Sequence, residues 1–364
     1  METINSFREV ELPQQKPYDD GALFPVVLSS DSAITELSSF EDVIRAHKPW
    51  LESLLVKRGA ILFRGFPVIS PSDFNNVVVA FGFPEMPYVG GAAPRSQVVD
   101  RVYTANESPL DKEIPFHHEM AYLPIHPTKL FFFCEEEPEA GGETPIVLSH
   151  IIYEKMKERH PDFVAKLEEH GLTYIKIASD DDDPSSYTGS SWKSAYKTDN
   201  KSVAEERAAK QGTKLEWMGN TAKIILNPLP AVRFDEENLR KTWFNSLAVG
   251  YVGPATEKIG NKNTSATTNK TSTSYTSFPV QSTTLEEIKT ERPCEPTTTN
   301  VNQAVDVHCQ SVVGFIIIDQ IDLALLQFPF LIASTMLSLE WRVKFLKSTI
   351  IYCPYLNKYP LDKD

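Results

Sequence analysis

The sequence lacks several features that would have assigned it to a class at once. It has no basic stripe: among 364 residues, 36 Lys and Arg stand against 49 Asp and Glu, a formal net charge of −13. A surface that grips phosphate needs clustered cations, so nucleic acid is not expected as a partner. Cysteine is scarce. Cys134, Cys294, Cys309 and Cys353 have no C-x-x-C spacing among them, which argues against a disulfide framework and against a zinc site. Met1 to Asp20 carries no apolar run of the kind found in a secretory leader, so a reducing, intracellular and cytoplasmic setting is expected. The Asn106, Asn263 and Asn269 sequons would then stay unmodified. No internal repeat is present.

Residues 1–30 read as an irregular leader. From Phe40 to Arg58, Val43, Ile44, Trp50, Leu51, Leu54 and Leu55 recur at helical intervals. The apolar run Ala60 to Phe63, set between Gly59 and Gly65, reads as a buried strand. Ser70, Pro71 and Asp73 open a second helix, with Ser70 as its cap, and Gly82 closes it. Further strands are expected over 98–105, 129–135, 144–149, 173–178, 223–226, 231–234 and 241–244. A helix over 151–171 should be split by Pro161, which lacks a backbone donor. The acidic run Asp180 to Asp183 reads as a solvated loop. Short strands with few helices predict a β-rich α+β fold.

The composition changes after Gly253. Residues 254–303 are rich in Ser, Thr and Asn and poor in apolar residues, which predicts a low-complexity, disordered segment. Residues 304–364 form an apolar tail. Leu323 to Leu339 holds no charged residue, which is the lower limit of length for a membrane span. Asp319 and Asp322 just before it and Pro329 within it argue against one, so a membrane is not expected as a partner.

Chemistry concentrates in Ile114-Pro115-Phe116-His117-His118-Glu119-Met120. In an extended chain His117 and Glu119 point one way and His118 the other. An imidazole and a carboxylate two residues apart begin the 2-His-1-carboxylate arrangement that suits Fe(II). The same spacing also occurs by chance on surface strands with satisfied polar groups. A zinc hydrolase built from His117, Glu119 and either His126 or His150 is a weaker reading, because no H-E-x-x-H spacing is present.

Other segments supply context: Phe63-Arg64-Gly65-Phe66, Tyr88 to Arg95, Thr104 to Pro109, Gly141-Gly142-Glu143-Thr144 and Trp243-Phe244-Asn245. In this order, over roughly residues 50–253 (the oxygenase-like region being taken as 31–253), the chain resembles the TauD/TfdA family of Fe(II)/2-oxoglutarate-dependent dioxygenases, and within it the plant clavaminate synthase-like members. The resemblance implies a double-stranded β-helix, or jelly roll, with flanking helices. It implies His117 and Glu119 as iron ligands and 2-oxoglutarate as cosubstrate. Thr144 would help bind the 2-oxoglutarate carboxylate, although a threonine after two glycines is also an ordinary turn residue. Asn106 and Arg95 would face a small organic substrate: a sulfonate, an amino acid derivative or another small acid.

The resemblance fails in the last third. The family carries a second histidine ligand in a pattern near G-D-x-x-x-x-D-N-x-x-x-x-H, followed by an arginine for 2-oxoglutarate. Here the only histidine beyond Gly253 is His308, in no such setting. Gly314 to Gln320 is faintly similar, and counting onward puts Leu325 at the histidine position. Arg342 has no matching surroundings. The fold is therefore expected to be incomplete at its C-terminus, with open sheet edges, and the chain to be a catalytically impaired relative. A translated intron or shifted frame would explain such a tail, as would a genuine divergent end.

Overall fold

The computed structural model describes residues 6–13, 15–18, 21–30, 34–107, 114–136, 143–186, 188–252, 273–277, 305–307, 314–320, 323–327, 341–344 and 347–354.

The stretch expected as an irregular leader carries strands β1 (Phe7–Glu9), β2 (Lys16–Pro17), β3 (Leu23–Phe24) and β4 (Val26–Ser30). Val26, Val27 and Leu28 are fully buried. A continuous apolar triplet is what a strand covered on both faces requires, but three residues among prolines are too few to stand out in sequence. Helix α1 (Leu37–Arg58) buries Phe40, Ile44, Leu51 and Leu55 and ends at Gly59, whose φ of 74° lets its N–H reach Leu55 O. Strand β5 (Ala60–Arg64) follows. Helix α2 (Pro71–Phe81) begins as expected, with the Ser70 side chain accepting from Asp73 N, and stops at left-handed Gly82.

The expected 98–105 strand is two, β6 (Gln97–Val99) and β7 (Val102–Thr104), because Asp100 turns the chain at φ 43°. Next come β8 (Ile114–His117), β9 (Pro127–Glu136) and β10 (Glu143–Leu148). Helices α3 (Ser149–Arg159) and α4 (Pro161–His170) are separated where Pro161 predicts, and β11 (Thr173–Ala178) follows. The sequence did not announce α5 (Trp192–Tyr196), α6 (Lys201–Lys210) or β12 (Thr213–Met218). Then come β13 (Thr221–Leu226), β14 (Val232–Asp235), β15 (Arg240–Trp243) and α7 (Leu247–Val252). The tail contributes β16 (Thr273–Ser277), β17 (Val305–Val307), β18 (Gly314–Asp319), β19 (Leu323–Gln327), β20 (Trp341–Lys344) and β21 (Lys347–Pro354).

Among the described residues the largest sheet runs β1-β4-β5-β18-β9-β21-β7-β6. A second runs β17-β20-β10-β19-β8, and a third β12-β13-β11-β16. The sheets expected to stop short thus receive tail strands in their interior: β18 lies between β5 and β9, β21 between β9 and β7, and β19 between β10 and β8. The reason is visible in β9 and β18, where both faces are apolar. Phe131, Phe133, Phe315 and Ile317 pack with Phe40, Phe74 and Phe81 of the two long helices. Leu130, Phe132, Ile316 and Ile318 pack the other way, with Ile146, Leu148 and Met120. A strand with an all-apolar sequence is stable only with neighbours on both sides and cover on both faces.

Most of 254–303 lies outside the described residues, but Thr273–Ser277 pairs antiparallel with β11. The charge-free run from Leu323 begins as β19, and 328–340 lie outside the described residues. Among the described residues no helix is long and apolar enough to cross a membrane.

Candidate metal centre and its cavity

Strand β8 ends at His117, and a tight turn follows. Ala121 N donates to His118 O at 3.2 Å, Leu123 N donates to Met120 O at 2.9 Å, and Met120 is left-handed at φ 55°. This turn, in addition to strand alternation, brings His117 Nε2 to 3.4 Å from Glu119 Oε2. His117 Nδ1 lies 2.8 Å from Pro115 O. A carbonyl oxygen only accepts, so Nδ1 carries a hydrogen, and in the neutral ring Nε2 then presents a lone pair. A lone pair and a carboxylate oxygen converge there, as two ligands do before a cation.

The other carboxylate oxygen, Glu119 Oε1, is 3.8 Å from Arg95 Nη2. Arg95 is anchored through Nη1 to Ala105 O. His117, Glu119, Arg95 and Asn106 line one cavity of about 60 Å³, with Tyr88 and Tyr122 among its walls. The sequence pointed to the first four, but it gave no reason to expect Tyr122, Thr188, Ser246 or Val249, which reach the cavity from distant segments. Tyr88 donates to Ala93 O at 3.0 Å, and the Tyr122 hydroxyl accepts from Ala92 N at 2.6 Å. Burial pushes both phenols above their ordinary range. The loop between them can approach only because residue 91 is glycine: a Cβ there would stand 2.1 Å from Tyr88 Cζ. Glu107 sits at the rim. Burial pushes its carboxyl up, but hydrogen bonds from Thr104 and Ser96 and the Arg95 charge outweigh this, and the net shift is downward.

Thr144 lies in β10 opposite Val343, next to the pair Pro145–Arg342. Its side chain is outside the described residues.

Three further histidines, His118, His126 and His150, are engaged elsewhere, and His308 lies outside the described residues. His118 is fully buried, with Nε2 2.7 Å from Ser149 Oγ and its ring 4.7 Å from that of Phe244. Burial lowers it to about 3. His126 Nε2 is 3.0 Å from Arg233 Nη1 and is lowered to about 3, by burial first and then by that guanidinium. His150 Nε2 is 3.3 Å from Arg240 Nη1 and is lowered to about 4 by burial and Arg240. A guanidinium only donates, so on both rings it takes the lone pair a metal would need. This removes the support for a zinc site using either residue.

Across the ladder from His117, in register with it, is Leu325, whose other register partner is Ile146. Among the described residues no group of three or more His, Cys, Asp or Glu could hold a metal ion. A facial iron centre needs three protein ligands. His117 and Glu119 could supply two, and the described residues do not complete the set.

The sequence pattern of the "Taurine catabolism dioxygenase TauD, TfdA family" matches residues 29–263. The chain belongs to this family of dioxygenases. It is 55% identical to a clavaminate synthase-like protein of Arabidopsis thaliana over 251 residues, 67% of this chain and 76% of that one. It is 27% identical to the dapdiamide synthesis protein DdaC of Enterobacter agglomerans over 224 residues, 62% of this chain and 63% of that one. Among solved structures, AAD-2 in complex with Mn(II) and N-oxalylglycine aligns with a TM-score of 0.46 at 10% identity, covering 96% of this chain and 98% of that one.

Proposed function

We propose that this chain is an Fe(II)/2-oxoglutarate oxygenase by descent, built on a jelly-roll scaffold, whose metal centre has two protein ligands, His117 and Glu119, among the described residues. The two larger sheets are read as the two halves of a double-stranded β-helix. Arg95 and Asn106 bind a small organic acid in the cavity, and Thr144 contacts the 2-oxoglutarate carboxylate. In a complete centre, Fe(II) with 2-oxoglutarate and O2 supplies the oxidising power, and the protein supplies orientation and shielding. Here the side chains orient and bind. Arg95 holds one oxygen of Glu119, and the Pro115 carbonyl fixes the tautomer of His117.

The observation that carries this reading is the register of Leu325 opposite His117. The sequence pattern puts Leu325 at the position of the missing histidine, and the strand pairing puts it beside the histidine that is present. Leucine carries no donor atom, so position 325 adds no ligand. Losing a ligand costs more than the roughly 10–100-fold in affinity typical of lost outer partners. We therefore expect weak metal binding and little 2-oxoglutarate turnover.

The experiment is Mn(II) titration of the full chain followed by electron paramagnetic resonance. Weak binding that His117→Ala abolishes and His118→Ala leaves unchanged per folded molecule supports the reading. Loss with His118→Ala and retention with His117→Ala would reverse the ligand assignment.

A further inference from the structure

We infer that Gln320, in the tail, is a positioning residue that holds the turn carrying Glu119. Gln320 is fully buried, at 0% exposure, and its Nε2 donates to the backbone oxygen of Glu119 at 2.5 Å, across 201 residues of sequence. A carbonyl oxygen only accepts, so the nitrogen end of the amide faces Glu119.

Both ends of this bond are informative. Glu119 lies beyond the last residue of β8, so the strand ladder does not serve its carbonyl. That carbonyl belongs to the peptide leading into Met120, which is held left-handed at φ 55°. Buried backbone acceptors need a partner, and Gln320 provides it. The peptide so fixed sets the direction of the Glu119 side chain, which reaches His117 at 3.4 Å and Arg95 at 3.8 Å. The other end is rigid. Strand β18 is hydrogen-bonded along both edges, to β5 and β9. At its end, Asp319 N donates to Gly59 O at 2.9 Å, and just past it Gln320 N donates to Thr128 O at 2.7 Å. The glutamine therefore projects from a fixed backbone onto a turn that has no ladder of its own. A segment outside the matched family region contributes directly to the geometry of the site.

This inference rests on reading His117 and Glu119 as metal ligands, so its test has one arm that needs the metal and one that does not. The full-length chain is compared with Gln320→Leu, which keeps volume but removes the donor, and Gln320→Asn, which restores a shorter donor. In the first arm Mn(II) affinity is measured per folded molecule. Gln320→Leu should weaken it about 10–100-fold, the range for partners that orient a ligand, and Gln320→Asn should recover part of the loss. In the second arm hydrogen exchange is followed at the Ala121 amide, which closes the turn onto His118 O. It should speed up by about tenfold or more in Gln320→Leu, while the amides of Phe131 and Phe133 in β9 stay protected. A general loss of stability would accelerate all three alike and overturn the proposal. Unchanged Mn(II) affinity together with unchanged Ala121 exchange would also overturn it. If native chain and His117→Ala bind Mn(II) equally, the metal reading fails, and the exchange arm alone decides for or against Gln320.

Discussion

Leu325 and His117 are register partners across the ladder between β19 and β8. Both neighbours of β19 belong to the matched part of the chain: β8 carries the candidate ligand His117, and β10 carries Thr144. The tail therefore lies inside the second sheet, with Leu325 in register beside the candidate ligand.

That placement in the sheets can be tested through packing. Phe315 in β18 is buried, and its ring stacks on Phe63 at 4.5 Å with 7° between planes. Phe315→Ala should destabilise the chain by about 3–5 kcal/mol, the usual cost of removing a core aromatic. Urea unfolding checks it. A cost near zero would mean that the tail does not pack between β5 and β9.

Acid should weaken the fold through three histidines. His118 and His126 are held at about 3 and His150 at about 4, each chiefly by burial. Their ordinary value is about 6.5. Below that pH the unfolded chain takes up protons that the folded chain refuses, so stability is full above about pH 6.5 and declines as pH falls toward 4. Each such histidine contributes a slope of about 1.4 kcal/mol per pH unit. Unfolding free energy should be lower at pH 5.5 than at pH 7.5 by about 2–4 kcal/mol, part of the histidine effect being offset by other groups. Equal stability at the two values would contradict the burial assigned to these rings.

The cavity wall makes a third prediction. A methyl group at residue 91 would meet the buried ring of Tyr88 at 2.1 Å. Gly91→Ala should cost about 1–3 kcal/mol of stability by overpacking. It should also abolish binding of small organic acids while leaving Mn(II) binding in place. Isothermal titration with each ligand separates the two effects, and unaltered acid binding would remove the Gly91 loop from the site.

Local chemistry made much of the fold legible. Ser70, Pro71 and Gly82 bound α2 because a cap, a preset φ and a left-handed stop are local properties. Other elements gave no signal. Helix α6 buries only Ala204 and Ala208, whose small side chains leave little periodic hydrophobicity to read. Strand β4 was masked by its brevity. In the site, His117 and Glu119 stood out by spacing, but strand alternation was only part of the reason, since β8 ends at His117 and a turn brings Glu119 round. The cavity residues near the start of α7 and in the 180s loop have no local signal, because tertiary folding alone brings Thr188 and Ser246 into the cavity that Glu119 lines. The apolar runs of the tail are legible in the sequence, but nothing local in them specifies pairing with β5, β9 and β10.

The most direct test of the account is to supply the missing donor. Fe(II) affinity and succinate release are measured anaerobically and then under O2 for the native chain and for Leu325→His. The account predicts weak Fe(II) binding and turnover well below a kcat of about 1 per second for the native chain. It predicts Fe(II) affinity higher by about tenfold or more in Leu325→His, with succinate release rising alongside it. A native chain that already turns over 2-oxoglutarate at about 1 per second or faster, and gains nothing from Leu325→His, would contradict it.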